Sequence, residues 1–222
     1  LAPTGAKDPF AQRRAALWLV QSLIASDLDF DLRPALEQAA KLLPIPASAE
    51  SQAACLDFIV ERLRNLLLEN GERFDVVDAV ITAQGTNPAR AAQAVRQLAA
   101  WITRPDWEHI LPAYARCVRI IRSAGGTLAD CYQPLPSTEA AEVELYAALQ
   151  TAEESLRQLG GKRTPDDMLN AFLPMIPAVD RFFEAVLVMV EDEPVRLNRL
   201  ALMARIAALA DGVADLSRLE GF

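Results

Sequence analysis

The sequence predicts an all-α fold, a multi-helix bundle of about nine or ten helices. Three observations predict it. Apolar residues recur at three- and four-residue spacing along most of the chain, which puts them on one face of a 3.6-residue helix. Proline follows a capping residue at Asp8-Pro9, Asn87-Pro88 and Thr164-Pro165. Such pairs open helices, because proline gives up nothing at a position whose N–H has no partner. Strand signals are missing: no sustained period-two alternation and no Asn-Gly or Asp-Gly turn between β-branched runs is present. Composition agrees, with 52% hydrophobic residues and only 6% aromatic ones, and with abundant alanine and leucine, both good helix formers.

Taken in order, residues 1–7 read as a loop. Asp8 caps a helix with Pro9 at its first position, and Phe10, Leu17, Val20, Leu23 and Ile24 form its apolar face to about Ser26. Residues 31–43 read as a short helix that Pro44 and Pro46 end. Ser48 or Ser51 caps the next, which runs to about Asn70 and stops at Gly71. A short helix follows from Arg73 to Val80. Asn87-Pro88 opens another, lined by Val95, Leu98 and Ile102, and Asp106 caps a further one that Pro112 is placed to kink. Residues 124–137, with Gly125, Gly126, Pro134 and Pro136, read as a loop.

Helix returns from Thr138 to Leu159 and ends at Gly160-Gly161. Thr164 and Asp167 then have the spacing of a capping box. Pro174 and Pro177 separate that helix from a terminal hairpin. There, two apolar runs between Val179 and Leu219 flank Glu191-Asp192-Glu193 and Pro194, read as helix, tight turn, helix. Val195, Leu202, Ile206, Leu209, Val213 and Leu216 fall on one stripe of the second helix. The plainest reading is a core hairpin with Arg196 and Arg199 solvated at its rim.

The chain has 222 residues and a formal net charge of −8. That excludes a generally basic nucleic-acid coat and leaves room for a local basic patch. The three cysteines, Cys55, Cys117 and Cys131, are widely spaced; neither a disulfide framework nor a CxxC metal pattern is present, which suits a reducing cytoplasmic setting. No apolar run reaches the roughly 18 residues that span a bilayer, and Leu1 opens no signal peptide. The missing initiator methionine and abrupt start suggest a fragment of a longer protein. Catalytic patterns are absent too. The single histidine, His109, has no HExxH or other ligand spacing, and no GxxxxGK[ST] loop, GxSxG elbow, HIGH-like or KMSKS-like signature occurs.

Three blocks carry a family resemblance. Asp192 to Ile206, DEPVRLNRLALMARI, resembles the C-terminal DALR-type anticodon-binding domain of aminoacyl-tRNA synthetases, with Pro194-Val195 where the name has Ala-Leu, and the longer phrase Phe182 to Ala207, FFEAVLVMVEDEPVRLNRLALMARIA, points to one family among them. It is most similar to the β subunit of bacterial glycyl-tRNA synthetase. Pro3 to Leu17 resembles that family's PTGSKDPFALRRAA signature, with Ala6 for Ser and Gln12 for Leu, and Phe58 to Ile81 is a third match. The resemblance implies residues 1–105 as a helical linker region after an HD-like domain and residues 106–222 as the anticodon-binding domain. It further implies a non-catalytic tRNA-binding part of a ligase. Glycine and ATP would be handled by the α subunit, tRNA-Gly and that subunit would be the partners in a heterotetramer of two α and two β, and no cofactor would bind to this part. Two alternatives stand beside it: the same domain type in another synthetase such as arginyl, against which Pro3–Leu17 argues, and a helical scaffold that binds only protein.

The candidate RNA site is cationic. Arg116, Arg119 and Arg122 share a sector of roughly 120° at 100° per residue, with Trp107 and Tyr114 near them in sequence. Arginine brings charge and a planar stacking face, and anticodon recognition needs both. Arg199 is the next choice, and Arg119 stands where the family commonly carries asparagine. The competing reading pairs these arginines with neighbouring carboxylates on a solvated face.

Overall fold

Side-chain caps set many of the helix starts. The computed structural model describes Asp8, residues 11–125, residues 132–135 and residues 138–222. Its described residues hold ten α-helices and three short 3-10 turns and no strand, so the all-α expectation is met. The chain divides into two units, Leu1–Ala100 and Trp101–Phe222.

In the first unit, α1 (Gln12–Ala25) packs on α3 (Ala49–Glu69), which also carries α2 (Leu32–Ala40) and α4 (Phe74–Gln84). Asp8 does serve α1, accepting the N–H groups of Arg13 and Arg14. The helix nevertheless begins at Gln12, after Ala11 in a left-handed conformation; Pro9 and Phe10 lie outside the described residues. Asp31 caps α2 through the Arg33 N–H, and Ser48 caps α3 through that of Ser51. Asn87 does two jobs at the start of α5 (Pro88–Ile102): its Oδ1 accepts from Arg90, and its amide donates to Asp29 at 2.5 Å. Val20, Leu63, Val76, Val77, Val80, Val95 and Leu98 form the dry centre.

In the second unit, α6 (Trp107–Ala124) packs on α9 (Ile176–Ala185) and α10 (Glu193–Ala207), and α7 (Ala140–Gln158) packs on α8 (Pro165–Phe172) and α9. Asp106 precedes α6 but does not cap it. Its carboxylate takes the Arg104 guanidinium instead, at 2.6 and 2.8 Å. The Thr164–Asp167 capping box is closed in both directions. Pro174 sits in a 3-10 turn and Pro177 in the first turn of α9, so these prolines pass the chain on rather than break it. Proline is tolerated there because first-turn N–H groups have no helical partner.

The terminal hairpin departs from the expected tight turn. After α9, Val186 is extended, and residues 186–192 form an irregular connection before Asp192 caps α10 through Val195. The second arm is shorter than the apolar stripe: α10 ends at Ala207, and Leu209 and Leu216 lie in 3-10 turns while staying 2% exposed. The stripe located the core and overran the helix, because burial continues through turns that 3.6-residue spacing cannot tell from helix. The predicted loop at 124–137 holds at Gly125 and residues 132–135, while residues 126–131, 136 and 137 lie outside the described residues. Among the described residues, no helix is long and apolar enough to cross a membrane.

Candidate nucleic-acid interface

Helix α6 is amphipathic. Ile110, Leu111, Ala113, Tyr114, Ala115 and Cys117 face the core, so spacing by three turns Arg116, Arg119 and Arg122 outward. Their surroundings differ. Arg116 is half-buried; it donates to Asp180 at 3.1 Å and lies 4.3 Å from the centre of the Phe183 ring. Arg122 is exposed and donates to the Ser217 hydroxyl at 2.8 Å. Arg119 is exposed and makes no hydrogen bond or ion pair among the described residues. The ring of Phe222 lies 5.5 Å from the Arg119 guanidinium and 5.7 Å from that of Arg122.

The local backbone explains how a ring reaches this face. Gly221 has φ +90°, and the Phe222 N–H donates to Leu219 O at 3.2 Å. The left-handed glycine folds the last residues back, so Phe222 also meets Tyr114 edge-on at 6.5 Å. Tyr114 itself is unavailable to a ligand: it is buried and donates its hydroxyl to Ala207 O at 2.8 Å. Burial, foremost, and the nearby Asp211 push its ionisation upward. Asp215 shares this surface. Burial alone would raise its pKa, but hydrogen bonds from Ser217 and then Arg218 outweigh that and lower it.

Arg199 is elsewhere. It is 4% exposed and lies inside the unit, so the solvated rim expected for it is wrong. Its Nε donates to Glu142 at 3.0 Å, one Nη to Glu139 at 2.8 Å, and the other to Leu187 O at 2.9 Å. Glu142 is 2% exposed and also accepts from the Tyr132 hydroxyl at 3.0 Å. A charge this deep requires such partners. Beside it, Asn198 accepts from Gln133 N and donates to Gln133 O, at 2.9 and 2.7 Å. Arg196 donates to Val190 O at 2.9 Å. These polar residues of α10 therefore satisfy the backbone of two irregular segments, 132–135 and 186–191, and leave Leu187 and Met189 exposed at 68% and 44%.

Comparison with known proteins supplies the context. Residues 110–215 match the model of the DALR anticodon binding domain. Residues 1–82 match that of the glycyl-tRNA synthetase beta subunit. The chain is similar, in successive stretches, to the glycyl-tRNA synthetase β subunit and to the DALR anticodon binding domain. Over 221 residues it is 36% identical to the glycine–tRNA ligase beta subunit of Pseudomonas putida (strain W619), covering 98% of this chain and 32% of that relative. The same named subunit of Anaeromyxobacter sp. (strain K) is 35% identical over 221 residues, with 98% and 31% covered. That of Aromatoleum aromaticum (strain DSM 19018 / LMG 30748 / EbN1) is 37% identical over 220 residues, with 98% and 32% covered. The chain thus spans about a third of the length of the curated relatives it matches.

The structure brings Arg116, Arg119 and Arg122 to one face and takes Arg199 away from it. Sequence reasoning missed Phe183 and Phe222. A signal existed for Phe183: adjacent aromatics on an amphipathic helix must split between faces, and here Phe182 is fully buried while Phe183 is half-buried. For Phe222 the one clue was Gly221, a residue that permits a sharp reversal.

Proposed function

We propose that residues 106–222 form an anticodon-binding domain, that residues 1–105 form a linker region after an HD-like domain, and that the chain is the tRNA-binding part of a glycyl-tRNA synthetase β subunit. Its RNA is the anticodon stem-loop of tRNA-Gly. Ligation of glycine, with ATP, takes place on a separate α subunit in a cytoplasmic assembly of two α and two β subunits. The match of residues 110–215 to the DALR anticodon binding domain carries this reading. The cations on α6 support it: Arg119 and Arg122 keep no carboxylate partner among the described residues of an acidic chain.

The reading assigns Arg119 and Arg122 to RNA phosphates or base edges, with Arg116 beside them, and gives Arg199 an internal role. Titration of a tRNA-Gly transcript with the 222-residue chain at several salt concentrations tests it. Arg119→Ala/Arg122→Ala should weaken binding and flatten the salt dependence by about 0.7 in slope for each single-strand phosphate left without its arginine. A folded double variant that binds like the parent would move the site elsewhere. Absence of any salt-sensitive binding by the parent would favour the protein-only scaffold.

A further inference from the structure

Arg119, Arg122 and Phe222 form a unit that neither the arginine pattern nor the family match describes. We propose that Phe222 is a positioning residue for RNA binding: its ring stacks against both guanidinium groups and holds their N–H edges toward the ligand. This rests on the RNA-binding reading above. An exposed arginine samples many rotamers and loses that freedom on binding. Against an aromatic face, a guanidinium keeps its in-plane donors open while its flat face is held. Those donors match the paired oxygens of a phosphate, or the edge of a guanine.

The geometry shows how each part is supplied. Gly221 at φ +90° turns the chain back, the Tyr114 ring supports Phe222 from the core side at 6.5 Å, and the two guanidiniums lie 5.5 and 5.7 Å from the ring centre. Ser217 anchors one end of Arg122 at 2.8 Å and is itself held by Asp215 at 2.6 Å. Among the described residues, Arg119 has the ring as its contact and all its donors open. Ligand chemistry follows from this arrangement: two adjacent planar cations fit two consecutive phosphates, or a phosphate and a purine edge, of a single-stranded loop.

A double-mutant cycle on the 222-residue chain with a tRNA-Gly transcript tests the role. Phe222→Leu should weaken binding about fivefold or more, the scale of a partly desolvated cation–π contact, without lowering the unfolding midpoint. Phe222→Tyr, which keeps the π face, should bind within about twofold of the parent on the same scale. In an Arg119→Ala/Arg122→Ala background, Phe222→Leu should have no further effect, because its action passes through the arginines. If Phe222→Leu lowers the midpoint, Phe222→Met repeats the cycle with more of the volume kept. A double arginine variant that binds like the parent overturns the RNA face. If that variant binds weakly while removal of the ring costs nothing, or costs the same with and without the arginines, the face stands and the positioning role falls.

Discussion

Arg199 donates in three directions, and each acceptor belongs to a different part of its unit: Glu142 within α7, Glu139 just ahead of α7, and Leu187 in the connection after α9. The neighbouring Asn198 ties down Gln133. Removing Arg199 strands the buried Glu142 carboxylate with the Tyr132 hydroxyl as its remaining partner among the described residues. Arg199→Ala should therefore cost about 3–5 kcal/mol, the usual range for breaking a buried pair. Arg199→Lys should recover only part of this, because one ammonium cannot reproduce the planar fork. Urea unfolding followed by circular dichroism measures both, and an Arg199→Ala change under about 1 kcal/mol would mean that water reaches the site. The sequence alone did not separate Arg199 from Arg119. Both are arginines on helices rich in aliphatic residues; what divides them is which face of each helix another helix covers.

At the scale of the element, the junction of α3 and α4 depends on Gly85. A Cβ there would lie 2.7 Å from Ile81 O and 3.0 Å from Val60 Cγ1 of α3. Gly85 has φ −61°, so backbone freedom is not what the position demands. By propensity alone, alanine would gain about 0.5–1 kcal/mol over glycine. Overpacking costs about 1–3 kcal/mol, so the steric term wins, and Gly85→Ala should lower stability in chemical denaturation. A stabilised variant would show that α3 and α4 separate easily. Local signals made the element starts legible: Ser48, Asn87, Thr164 and Asp192 each accept an N–H three residues on. The 186–192 connection was not legible, since its carbonyls are satisfied by Arg196 and Arg199 from α10. The Phe222 contact with α6 likewise depends on a fold-back that no periodic pattern encodes.

The whole molecule carries a net charge of −8, and its proposed ligand is a polyanion. Binding must then rely on a short-range cationic face within a repulsive field. At about 0.1 M salt the field is screened beyond about 10 Å, whereas at about 0.01 M it reaches about 30 Å. A plot of log K against log salt for the parent should therefore have a slope of about −1.4 to −2.1 above about 0.1 M, the value for two or three single-strand contacts. Toward about 0.01 M it should flatten as repulsion offsets the gain. A straight line with a slope near about −5 would require a cationic surface far larger than the α6 face. Composition showed that the chain is acidic. That the exception lies on α6 became visible only when the other arginines of this unit, among them Arg104, Arg116, Arg181, Arg205 and Arg218, were found paired with carboxylates.

The fold-back at Gly221 bears on how the protein is handled at the bench. Phe222 lies against both Arg119 and Arg122, so any peptide fused after it emerges on the surface assigned to RNA. An acidic epitope tag there would compete with phosphates for the same guanidiniums and would depress the measured affinity. Cleaving such a tag should then restore the tRNA affinity of the untagged chain.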